Sequence, residues 1–110
     1  MIGNINTIQV FDGYIYILDS SKAKSLFVFD LEGRFIRKIG SLGNGPGEYL
    51  GLNDFTLDTD NGIIYIGDIK NRVHKYNFDG TLINTITIQA PSSNIAFIQF
   101  YNGSLYTSHI

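Results

Sequence analysis

Apolar and polar positions alternate in short runs along this chain, and each run stops near a glycine, asparagine or aspartate. Alternation with a period of two marks strands, and no stretch sustains a helical period for three turns. The runs predict strands over Ile5 to Phe11, Tyr14 to Asp19, Ser25 to Asp30 and Arg34 to Ile39, forming an antiparallel meander. A second set follows in the same order: Asp54 to Asp58, Ile63 to Asp68, Arg72 to Asn77 and Thr81 to Ile88. A third set has only Ile95 to Tyr101 and Ser104 to His109. The connections have a local cause. Asp12-Gly13, Asn61-Gly62 and Asn102-Gly103 accept the positive φ that tight hairpins demand. The longer turns Asp30-Leu31-Glu32-Gly33 and Asn77-Phe78-Asp79-Gly80 place glycine where the returning strand needs a left-handed residue.

The runs are apolar on both faces, as where Ile15 and Ile17 alternate with Tyr14, Tyr16 and Leu18. A sheet with two apolar faces has to lie between other sheets. The runs also repeat. Gly13 to Asp19 returns as Gly62 to Asp68 and, in part, as Gly103-Ser104-Leu105-Tyr106. The turn glycines are 49 and then 41 residues apart, the period of four-stranded propeller blades stacked around an axis. From Leu26 onward the copies align at an offset of 47, with Leu26 on Val73, Phe29 on Tyr76, Gly33 on Gly80 and Ile39 on Ile86. The expected fold is therefore all-β, a propeller fragment of about two and a half four-stranded antiparallel blades. Its parts are residues 5–39, an interblade crossover over 40–51, residues 53–88, and a half blade over 95–109. Positions that recur in both copies, among them Tyr16/Tyr65 and Asp19/Asp68, read as scaffold, because a single ligand site needs each group only once. The recurring aspartate is expected to accept hydrogen bonds from amides of the next loop.

Composition narrows the partners. The 110 residues are 44% hydrophobic and 16% charged, which suits one small globular domain. Eight basic against ten acidic residues give a net charge of −2, whereas a phosphate-tracking surface needs a basic excess, so no nucleic acid is expected. Arg34, Arg37 and Lys38 form the one basic cluster and read as a solvated strand face. The absence of cysteine excludes disulfides, thiolate metal sites and cysteine nucleophiles. No apolar run approaches the roughly 18 residues of a membrane span. Residues Met1 to Asn6 lack the charged and apolar regions of a signal peptide, so the chain is either cytoplasmic or begins inside a larger precursor.

One segment has no internal counterpart. Gly40-Ser41-Leu42-Gly43-Asn44-Gly45-Pro46-Gly47-Glu48-Tyr49-Leu50-Gly51 joins the first unit to the second, while the later link, Gln89 to Asn94, lacks such glycine content. Without a GK[ST] or a following helix it is no phosphate loop. It reads as a tight crossover with Glu48 and Tyr49 as its anchor, or lining the end of the propeller. Gly43 to Tyr49, following Arg34 to Gly40 and preceding Asp54-Phe55, resembles a family of six-bladed, NHL-like β-propellers, largely uncharacterised bacterial proteins with a G-x-G-P-G-E-Y segment. Ile64-Tyr65-Ile66-Gly67-Asp68 and Tyr76-Asn77-Phe78-Asp79-Gly80 fit the same pattern, and the resemblance covers roughly residues 5 to 106. It implies a longer protein, often exported or lipid-anchored, and therefore a periplasmic or cell-surface setting. The chain departs from that pattern in its length, its missing leader and its lack of an anchoring cysteine. The expected partner is accordingly the remainder of a larger propeller, or a second copy meeting the open blade faces.

No catalytic residue, metal ligand or cofactor emerges. His74 stands where the first unit has Phe27 and reads as a half-buried strand residue without a paired carboxylate. His109 takes the place of Asp19 and Asp68 but lies beside the chain end. Asp58-Thr59-Asp60-Asn61-Gly62 reads as a hairpin turn, since the ligand spacing of a calcium loop is not met. The serines have no G-x-S-x-G frame. The expected function is thus a noncatalytic binding or scaffold module that offers loops or a central channel to a peptide, glycan or protein. The candidate ligand-binding residues are Asn53, Asp54, Glu48 and Tyr49, with Asn53 and Asp54 lining the channel at the start of an inner strand. The alternative is part of a metal-dependent propeller hydrolase or lactonase whose remaining ligands lie in other blades.

Overall fold

The computed structural model describes residues 5–19, 24–43, 45, 48–49, 51–88 and 95–109. Strands β1 (Ile5–Phe11), β2 (Tyr14–Asp19), β3 (Ser25–Asp30) and β4 (Phe35–Ile39) pair antiparallel in chain order. A short parallel pair, β5 (Ser41–Leu42) and β6 (Glu48–Tyr49), lies inside the crossover. The second meander is β7 (Leu52–Asp58), β8 (Ile63–Asp68), β9 (Arg72–Asn77) and β10 (Leu82–Thr87), and a hairpin of β11 (Ile95–Tyr101) and β12 (Ser104–His109) follows. No described residue is helical.

Several boundaries differ from the sequence expectation; β10, for one, runs Leu82–Thr87 and not Thr81 to Ile88, with the Thr81 amide donating to Asp79 Oδ1 at 2.9 Å. β4 begins at Phe35 because the Arg34 amide donates to Asp30 Oδ1 at 2.9 Å and stays with the turn. β7 begins at Leu52, ahead of the expected Asp54, because a bulge between Leu52 and Asp54 lets Leu52 still pair with Asp68. The β5–β6 pair was not foreseen, since two-residue strands leave no periodicity to read.

The repeat is conformational as well as chemical. The first strand of each unit carries the same register shift, at Ile5/Thr7, Leu52/Asp54 and Ile95/Phe97. Lys24 and Asn71, equivalent at the offset of 47, both take a left-handed φ, 53° and 57°. Asp12 and Asn102 share a φ of 51° in their hairpins.

The meanders pack face to face, and the strands that open the units, β1, β7 and β11, lie next to one another. The main core joins Tyr16, Leu18, Leu26, Val28 and Ile39 of the first sheet to Phe55, Leu57, Ile64, Ile66 and Tyr76 of the second. A second cluster joins Ile63, Tyr65 and Val73 to Ile98. Consequently all six residues of β8 are buried, with one neighbour sheet on each side. Burying a side chain of this size contributes about 1.5–3 kcal/mol, so these interfaces, more than the hairpins, hold the units together. Among the described residues the first sheet has a neighbour on one face only. Its other face leaves Val10 63% and Phe35 58% exposed, with Phe35 edge-on to Phe27 and Phe29 at centroid distances of 6.4 and 5.9 Å.

Candidate functional site

The crossover is built around one carboxylate. Glu48 Oε1 accepts the Gly45 amide at 2.8 Å, and its Oε2 lies 3.4 Å from the Ser41 hydroxyl. A Cβ on Gly45 would stand 2.8 Å from Glu48 Oε1, and one on Gly43, whose φ is +147°, would collide with the same oxygen. The glycines are therefore there to let the backbone wrap a carboxylate. Tyr49 is fully buried between the sheets, donates its hydroxyl to the Ile39 carbonyl at 2.8 Å, and meets the His74 ring edge-on at 6.1 Å. Burial pushes its phenol up from the ordinary value. Both side chains anchor the loop within the fold.

Asp54 lies on β7, where its two oxygens bridge the neighbouring units. Oδ1 accepts the Thr7 hydroxyl of β1 at 3.1 Å, and Oδ2 accepts the Ile98 amide of β11 at 3.1 Å. Two residues on, Thr56 Oγ1 accepts the Phe100 amide at 3.0 Å. Alternate side chains of one inner strand thus satisfy the amides of the next, a substitute for a backbone ladder. Asn53, half-buried beside it, also has a partner.

His74 corrects the sequence expectation twice: it is buried, not half-buried, and a carboxylate is paired with it. Its Nε2 lies 2.7 Å from Asp68 Oδ2, so it donates to that acceptor-only group, while Nδ1 faces the Thr85 hydroxyl at 3.0 Å. Asp68 Oδ1 accepts the amides of Lys70 and Arg72 at 2.8 and 3.0 Å, and Oδ2 also accepts Arg72 Nε at 2.9 Å. The loop amides are those expected of the recurring aspartate. Burial alone would raise this carboxyl, yet the hydrogen bonds from His74, Lys70 and Arg72 hold it below the ordinary carboxylate value. An Asp–His–hydroxyl relay has the composition of a nucleophilic triad. Here its carboxylate and imidazole are buried, and the relay clamps β8, β9 and β10 together. The turn that holds Asp68 recurs: Asp68-Ile69-Lys70-Asn71-Arg72 repeats the pattern of Asp30-Leu31-Glu32-Gly33-Arg34. In both, the aspartate accepts amides two and four residues on and the arginine Nε, with a left-handed residue between.

At the opposite end of the strands a cleft opens between the two sheets. It has a volume of about 210 Å³ and is lined by Asp12, Tyr14, Tyr16, Arg37, Phe78 and Asp79. The Tyr16 ring lies 5.8 Å from that of Phe78. Arg37 departs from the solvated strand face expected for the basic cluster. It is half-buried and donates from Nη1 to the Phe78 carbonyl at 3.1 Å, because its position on β4 faces the second sheet while Arg34 and Lys38 face solvent. The sequence reading gave none of these residues a ligand-binding role, since they come from β2, β4 and two separate turns and only packing assembles them. The hairpin of Asp58 and Asn61 closes this same end of β7, with Asn61 Nδ2 donating to Asp58 Oδ2 at 2.8 Å.

The model of a family described as Domain of unknown function (DUF4934) matches residues 1–110. Among solved structures, the chain is similar to a Bacteroides fragilis protein described as "Putative exported protein", at 31% identity and a TM-score of 0.77, over 86% of this chain and 27% of that one. It also superposes on the RRP9 WD40 repeats at 18% identity and TM-score 0.76, covering 94% of this chain and 32% of that one. The WD40 domain of Neurospora crassa Pan2 gives 11% identity and 0.70, over 96% and 29%. The two low-identity matches show fold alone, and that fold is a β-propeller segment. The chain spans about a quarter to a third of the length of these proteins. No curated protein matches the chain.

Proposed function

We propose that this chain, which belongs to the family described as Domain of unknown function (DUF4934), is a noncatalytic binding or scaffold segment of a larger propeller of the six-bladed, NHL-like kind. It works outside the cytoplasm and offers one end of its blades to a peptide, glycan or protein. The observation that carries this reading is the uncovered apolar face of the first sheet, where Val10 and Phe35 stay exposed beside Phe27 and Phe29. A face of that kind marks an interaction surface, and β8, which has sheets on both sides, shows how the fold covers one. The extracytoplasmic setting is supported by the description of the Bacteroides fragilis relative as exported. Among the described residues no helix is long and apolar enough to cross a membrane. The hydrolase alternative gains no support from Asp54, whose two oxygens already accept hydrogen bonds.

Light scattering coupled to size exclusion tests the assembly. The isolated chain is expected to self-associate with rising concentration, and Val10→Lys with Phe35→Lys to return it to a monomer with an unchanged circular dichroism spectrum. A wild-type chain that stays a stable, monodisperse monomer would refute the reading. Fractionation of the source cells tests the compartment, and recovery in the cytosol would refute it.

A further inference from the structure

We propose that the cleft between the first and second sheets is a binding site for one neutral, hydroxyl-rich ring, a saccharide unit. This names a ligand for the binding role above and rests on it. The innermost group of the site is Tyr16, which is 2% exposed as a residue and lines the cleft. Asp12, on the rim, makes no hydrogen bond or ion pair among the described residues, and its left-handed turn holds it there.

The mixture of groups selects the ligand. Arg37 offers donors, Asp12 and Asp79 offer acceptors, the tyrosine hydroxyls offer both, and Tyr16 with Phe78 supplies an aromatic floor. A cation would meet the Arg37 guanidinium, and an anion would meet two carboxylates. A neutral ring with hydroxyls at its edge and C–H groups on its face satisfies every wall. The volume of about 210 Å³ is below the range of about 300–1,000 Å³ typical of drug-sized ligands, so it suits a single ring.

Comparison of the repeats sharpens the choice. At the same alignment Arg37 becomes Asn84, Tyr14 becomes Ile63, Asp12 becomes Asn61 and Phe78 corresponds to Leu31. The tyrosine recurs and Asp79 corresponds to Glu32, and in the second junction Tyr65 stacks flat on Phe100, 5.6 Å away and 8° from parallel. Among the described residues the combination of Tyr14, Arg37 and Phe78 beside the tyrosine is not repeated.

The test is saturation-transfer NMR and titration of the chain with methyl α-D-glucoside, methyl α-D-galactoside and N-acetylglucosamine, with tetramethylammonium and acetate as charged probes. At least one sugar is expected to bind. Tyr16→Phe, which removes only the hydroxyl, should weaken it about tenfold. Asp12→Asn, which suits the left-handed turn, should weaken it as well, while Asp60→Asn at another hairpin should leave it unchanged. No sugar binding, binding indifferent to Tyr16→Phe, or binding of tetramethylammonium or acetate in place of a sugar would overturn the proposal. The oligomer measurements above are independent of these outcomes, so failure here leaves the binding-segment reading to its own test.

Discussion

Replacing Asp68 by asparagine and His74 by phenylalanine, singly and together, measures whether the buried relay holds the second sheet. Phenylalanine is the residue at the equivalent position of the first unit, so the ring against Tyr49 is preserved while the Nε2–H donor is lost. Asparagine keeps an oxygen for the Lys70 and Arg72 amides but turns an amide donor toward Arg72 Nε and His74 Nε2. A hydrogen bond to a charged group contributes about 1.5–3 kcal/mol, and each single change should cost an amount in that range. Because both changes remove the same 2.7 Å contact, the double variant should fall short of the sum by about 1.5–3 kcal/mol. Urea unfolding followed by circular dichroism, with m unchanged, gives the four free energies of the cycle. A coupling below about 0.5 kcal/mol, the scatter expected of independent sites, would refute the clamp. The same variants carry a pH signature. The folded Asp68 carboxyl lies below its ordinary value of 3.8, so its contribution is complete above the unfolded carboxylate value and is lost as pH falls through the lower folded one. Asp68→Asn should therefore flatten the decline of stability below about pH 4.

Three further outcomes are expected. Glu48→Ala should cost about 1.5–3 kcal/mol, since the Gly45 amide and the Ser41 hydroxyl lose a charged acceptor, and Gly45→Ala should destabilise by crowding that same carboxylate; denaturation midpoints read both. Asp54→Ala should speed hydrogen exchange selectively at the Ile98 amide, and Thr56→Val at the Phe100 amide, each leaving the other site protected. Arg72→Ala should cost at least about 1.5 kcal/mol whereas Arg34→Ala costs about 0–1, because the same aspartate–arginine turn is sealed in one place, with Arg72 22% exposed, and open in the other, with Arg34 72% exposed.

Much of the fold was legible because short strands with turn residues at their ends leave a period-two pattern that needs no long-range information. Tyr14–Asp19, Ser25–Asp30, Ile63–Asp68 and Arg72–Asn77 were readable to the residue. The bulged start of β7 was not, since an inserted residue breaks the alternation it is read from. His74 was misjudged because its carboxylate partner belongs to another strand, six residues away in sequence, and only the β8–β9 register brings them together. Arg37 was misjudged because three neighbouring cations look alike in sequence, and only the second sheet decides which of them turns inward.

The sequence by itself determined the repeat, the turns and the unrepeated character of the glycine-rich crossover, because these depend on local backbone preference and on alternation along one strand. Only the tertiary structure decided what the individual polar groups do. Asp54 came to bridge three units, Glu48 to fill its own loop, and Asp12, Tyr16, Arg37 and Asp79 to face a common cleft. Hydrogen bonds act over a few ångströms between residues that lie tens of positions apart in the chain, and that proximity exists only once the sheets have packed.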